Sequence, residues 1–188
     1  MKFLAVTFVC MLLLLGCESQ ENLPPAPPLD TRFQTTDPSR LYFNNIRSSN
    51  YNTQDFPQRY SKSYTLNNWP DTASTPFLVP TIIDYWLYDQ AYLELNWQSL
   101  PANISLELPW TLVCTSETKT DTVLMEGKRW NQQFEFAAAI HAAILEPKQE
   151  LALLLSDSIR VPVMQDSEVR RLFRLTWRDH QALADKNK

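Results

Sequence analysis

The side chains of this 188-residue chain whose types and places bear on chemistry are Cys17, Cys114, His141, His180 and the acids Asp84, Asp89 and Glu94. The three acids lie in or beside a stretch containing Tyr85, Trp86, Tyr88 and Tyr92. Paired carboxylic acids beside sugar-stacking rings are the parts of a small glycoside hydrolase. Each acid also has a plainer use: Asp89 as a turn residue, Glu94 on the solvent face of a strand, Asp84 as a polar break before Tyr85. The four rings then either pack a small core or form a platform that holds a glycan or peptidoglycan without hydrolysing it. Cys114 and His141 supply a thiol and a base, yet Cys114 sits in an apolar segment of the kind that buries an inert cysteine. His141, His180 and Cys114 are too scattered for zinc or iron ligation, so no metal and no other cofactor is expected. Phosphate loops and nucleophile elbows need clustered glycines, and the chain has only Gly16 and Gly127. The expectation is a protein that is not an enzyme, with no catalytic residue.

Cys17 follows an apolar run over residues 3–15 that is preceded by a single positive charge, Lys2. Such a run is a signal peptide, too short to span a bilayer as a helix. Its end, Leu14-Leu15-Gly16-Cys17, resembles the lipobox of bacterial lipoproteins. The resemblance covers the first residues only. It implies cleavage by signal peptidase II between Gly16 and Cys17, a diacylglycerol on Cys17 Sγ and an acyl chain, such as palmitate, on the new amine. Cys10, preceded by Val9, would leave with the signal. Each buried methylene contributes about 0.8 kcal/mol, so several chains on one cysteine form a stable anchor. Glu18 stands where lipoproteins kept in the inner membrane often carry Asp, which implies the outer membrane and leaves open which of its faces.

Loss of residues 1–16 removes Lys2 and no acid, making a chain of net charge −4 slightly more acidic. Nucleic-acid modules carry a basic stripe, so nucleic acid is not an expected partner. Cys114 is the one cysteine left to the body, which excludes an internal disulfide. The remaining length suits a single domain, 41–188, held by a packed core.

Residues 17–40 read as a lipidated cysteine and a tether, because Leu23-Pro24-Pro25-Ala26-Pro27-Pro28 forms neither helix nor central strand. At about 3.1 Å per residue the tether would reach roughly 70 Å. Residues 41–47 look orderable. Residues 48–68 read as irregular, with Tyr51, Phe56, Tyr60, Tyr64 and Trp69 lying on the surface as an adaptable contact area. A hairpin is expected from 77–86 and 91–97, followed by strands near 104–108, 110–115 and 120–126. Gly127 suggests a turn with positive φ. Residues 131–145 fit a helix or a strand, and alanine content favours helix. A second hairpin, 151–155 with 159–163, carries Pro162 on an edge. A final helix, capped by Asp166 or Ser167, puts Val169, Leu172, Phe173, Trp177, His180 and Leu183 on one stripe. Arg170, Arg171, Arg174 and Arg178 would lie opposite as a solvated face interspersed with Asp166, Glu168 and Asp179, the alternative being contact with anionic lipid heads or lipid A phosphates. The whole reads as an α+β domain, an antiparallel sheet of hairpins with one or two packed helices. Its expected role is an envelope assembly or accessory subunit with a protein partner, the glycan module and the small hydrolase being the alternatives.

Overall fold

The structure is a computed structural model that describes residues 30–71, 73–100, 107–146, 148–156 and 159–184. The expected signal peptide, the proline-rich segment and residues 104–106 of the expected strand 104–108 lie outside the described residues. Among the described residues, two four-stranded antiparallel sheets and three helices make up an α+β fold. The first sheet is a meander of β1 (Tyr51–Phe56), β2 (Ser61–Leu66), β3 (Phe77–Tyr85) and β4 (Gln90–Gln98). The second has the order β6-β5-β7-β8, from β5 (Trp110–Thr115), β6 (Thr120–Met125), β7 (Glu150–Ser156) and β8 (Ile159–Val163). Pro162 falls on the edge strand β8, where its missing N–H leaves no ladder bond unmade.

Helix α1 (Asp37–Tyr42) starts at Thr36, whose side chain accepts from Ser39 N while Ser39 Oγ accepts from Thr36 N. It continues through a wide π turn, Phe43–Arg47. Helix α2 (Trp130–Leu145) buries Phe136, Ala137, Ile140, Ala143 and Ile144, the helical spacing that alanine favoured. Helix α3 (Ser167–Ala184) is capped by Asp166, whose Oδ1 accepts from the backbone N–H groups of Glu168 and Val169. It packs on β3 and β4, whereas α2 bridges β4 and β6, so both sheets and both helices share one apolar core.

Three expectations need correction. Residues 48–68 are not irregular: Tyr51 to Phe56 pair in register with Leu66 to Ser61, and Tyr51 and Tyr64 sink into the core against Phe43 rather than lying on the surface. The ordered domain starts before residue 41. Phe33 is 2% exposed between Tyr92 and Phe134, and Gln34 bridges to Gln90, so residues 30–40 belong to the fold and not to the tether. Gly127 has no positive φ. A Cβ there would meet only Gln132 Oε1, at 2.9 Å, the movable end of a flexible side chain, so neither backbone angle nor space demands glycine at this turn.

Candidate functional site

The acids and rings singled out by sequence meet at the end of the β3–β4 hairpin, and α1 fastens them there. Arg40 Nε donates to both Asp84 oxygens, at 3.3 and 3.2 Å, and Nη2 reaches Asp84 Oδ1 at 3.1 Å. Its Nη1 donates to Asp89 Oδ1 at 2.9 Å, and Nη2 also donates to Thr35 Oγ1 at 2.6 Å. The backbone closes the same corner, Thr35 N donating to Asp89 O at 2.8 Å. Asp89 itself takes φ of 51°, a left-handed conformation that Asp tolerates better than most residues. One guanidinium thus ties the last residues of β3, its turn and the chain ahead of α1 into a rigid tip. Burial pushes the Asp84 carboxyl up against the pull of Arg40. Asp84 is enclosed and spent on this cation, which denies it the open approach that proton transfer to a ligand needs, whereas Asp89 stays exposed and lends Arg40 only Oδ1. Glu94 lies half-buried along β4, opposite Thr81.

Tyr85, Trp86 and Tyr92 do not form a flat platform. Tyr92 is buried, stacks on Trp130 at 4.9 Å, and donates its hydroxyl to Gln90, with its phenol pushed up to about 12 by burial. Tyr85 meets Tyr92 edge-on at 77°. Trp86 is 46% exposed and meets Tyr60 edge-on at 74°, and Leu87 beside it is also exposed. Sugar rings stack on coplanar open faces; crossed rings at a protruding tip offer edges and apolar corners instead.

The remaining ionisable groups named from sequence hold the fold. His180 is fully buried, its Nε2 3.0 Å from Ala91 O, and burial lowers it to about 4. Asp179, expected on a solvated face, is buried and accepts from Arg47 Nη2 at 2.7 Å and from Tyr51 Oη at 2.8 Å. Arg170 is likewise no solvated residue, because Nε donates to Met164 O and Nη2 to Gln149 O, fastening α3 to the end of the second sheet. Cys114 is buried, and burial pushes its thiol up. It lines a groove with Ala142 and Ala143, while His141 stacks on Trp177 at 5.3 Å in another, so the imagined thiol and base lie on different sides of α2. Among the described residues no three His, Cys, Asp or Glu side chains gather as metal ligands. Nor is any described helix long and apolar enough to cross a membrane. Comparison with protein-family models, curated proteins and solved structures finds no match.

Sequence reasoning missed the Arg40 clamp and the Arg47–Asp179–Tyr51 cluster. A signal for the first was present: Asp84 ends a strand that is otherwise buried throughout, and a buried carboxylate needs a cation. Nothing in the spacing named Arg40, forty-four residues away and assigned to the tether.

Proposed function

We propose that the protein is a bacterial envelope lipoprotein, held by acyl chains on Cys17, which acts by contact with a protein partner as an assembly or accessory subunit. The rigid tip of the β3–β4 hairpin carries the reading. Exposed Trp86 and Leu87 stand on a turn fixed by Arg40, and a pre-ordered aromatic anchor is what dominates protein–protein binding energy. The crossed rings favour such an anchor over a glycan platform.

A photoreactive residue in place of Leu87, in the lipidated protein within intact envelopes, tests this. The expected result is a discrete protein adduct that weakens strongly when Trp86→Ala is added. A probe at exposed Leu124 on β6 serves as the control and should give none. Adducts equal at the two positions, or no adduct together with retention on peptidoglycan, would replace the protein partner by the glycan alternative. Attachment has its own check: Cys17→Ser should abolish palmitate labelling.

A further inference from the structure

Helix α3 contacts both α1 and α2, and Arg171, Arg174 and Arg178 are exposed along its outward face at intervals of three and four residues. That stripe is about 10 Å long. Glu168 satisfies Arg171 at 2.7 Å, whereas Arg174 and Arg178 form no ion pair with another described residue. A groove runs on each side of the stripe. One, of about 630 Å³, is lined by Tyr42 and Arg47 from the α1 side, and the other, of about 680 Å³, by His141, Leu145 and Trp177. Arg178 lines both. The two linings carry four arginines against a single carboxylate, the buried Asp179, on a chain of net charge −4. Exposed Tyr42 lines the first groove and exposed Leu145 the second, and Leu41 and Ile46, close to Tyr42 along the chain, are exposed as well. A solvated face explains arginines, but not arginines between exposed leucine, isoleucine and tyrosine.

The place where the chain enters the fold indicates what covers this face. Arg32 pairs with Glu135 and lies 5.5 Å over the Phe134 ring; Phe134 meets Trp177 at 5.1 Å, and Trp177 stacks on His141 inside the α2–α3 groove. The tether therefore arrives beside the arginine stripe. Twelve residues separate Cys17 from Asp30, thirteen steps along the chain and a reach of about 40 Å when extended. A tether that short keeps any surface next to its attachment at high effective concentration near the bilayer.

We infer that this helical face rests on anionic phospholipid headgroups, with Arg174 and Arg178 taking lipid phosphates and Tyr42, Leu41, Ile46 and Leu145 at the headgroup boundary. The charge complementarity is that of cationic, partly apolar surfaces on anionic lipid. The inference rests on Cys17 as the anchor and adds an orientation to it. None of the groove residues belongs to the β3–β4 tip, so lipid contact leaves Trp86 and Leu87 available to a partner.

The test uses mature protein carrying its own acyl chains, reconstituted on supported bilayers of phosphatidylethanolamine alone or mixed with phosphatidylglycerol. Neutron reflectometry reads the height of the domain. It should lie against the headgroups when phosphatidylglycerol is present, and stand off on its tether on phosphatidylethanolamine alone or at high salt. Arg174→Glu with Arg178→Glu should stand off on both, and Arg174→Lys with Arg178→Lys should return to the anionic surface. Circular dichroism confirms that each variant is folded. The same height on both lipids, a charge-reversed protein still lying flat, or a layer two domains thick, marking a second copy, would overturn the inference. Protein that washes off phosphatidylethanolamine refutes the anchor and not the surface. Retention on phosphatidylglycerol, weakened about tenfold or more by the charge reversal, would then still support the surface, and loss from both bilayers would overturn it.

Discussion

Arg40 is half-buried between enclosed Asp84 and exposed Asp89, and its removal leaves Asp84 as an uncompensated charge in a site 4% exposed to water. Breaking such a pair from one side costs about 3–5 kcal/mol, whereas an apolar pair of similar volume restores most of it. Arg40→Met should therefore lower the urea midpoint sharply, and Arg40→Met with Asp84→Leu should recover much of the loss. A double mutant no better than the single would mean that the clamp acts through Asp89 and Thr35 instead. His180 governs the acid side of the stability curve. Its folded pKa is lowered to about 4 from an ordinary 6.5, because charging it would bury an imidazolium. The unfolded chain then takes up a proton that the folded one does not as pH falls from about 6.5 towards 4. Stability should be intact at neutral pH and fall in that window with a slope approaching 1.4 kcal/mol per unit. Asp84, raised by burial, works in the opposite sense, so the informative comparison is with His180→Gln, whose urea midpoint should change less between pH 6.5 and pH 4.5. These residues show what a sequence does and does not display. His180 was legible as part of an apolar stripe because helix periodicity places it there. Asp179, its neighbour, was misplaced because the same periodicity cannot reveal that Arg47 and Tyr51 converge on one buried position.

At the level of elements, strong periodic signals were readable and local polar composition misled. The hairpin β3–β4 announced itself by apolar and aromatic runs around Tyr88-Asp89-Gln90, and α3 by its stripe. The hairpin β1–β2 did not, since β1 is an edge strand with exposed Asn52, Thr53, Gln54 and Asp55, and its buried side chains are few. Its turn contains Tyr60 at φ of 52°, where glycine would be the ordinary signal. The chain has almost no glycine, so Asn68, Asp89, Ser99, Lys148 and Met164 also take positive φ. Lys148→Gly should consequently raise stability by about 1 kcal/mol, read as a higher urea midpoint. Its partner Glu117 is largely exposed, so loss of that ion pair offsets little of the gain. Edge protection offers a contrasting case. Gln133 on α2 accepts from Leu95 N at 2.8 Å and donates to Lys128 O at 3.0 Å, closing the open side of β4. Gln133→Ala orphans a buried donor and should cost about 1–3 kcal/mol, with faster amide exchange at Leu95.

For the molecule as a whole, if Cys17 is the anchor proposed above, the place where the fold begins sets how far the domain could travel from the bilayer. Proline content suggests a tether but does not mark where the fold begins, because residues 30–40 carry few apolar side chains and gain their order from distant partners. Phe33 is the deciding residue: it fills a space between Tyr92 at 4.8 Å and Phe134 at 5.3 Å, rings that belong to β4 and α2. Placing the start of the fold at Asp30 shortens the reach from roughly 70 Å to about 40 Å. The distance matters to the proposed function, under which a partner engaged through Trp86 would have to lie near the bilayer. Phe33→Ala should cost about 3–5 kcal/mol, the loss expected for a large ring removed from a packed site. Leu23→Ala, in the proline-rich segment, should leave the midpoint of thermal unfolding unchanged. Equal and negligible effects at the two positions would move the boundary back to residue 41 and restore the longer reach.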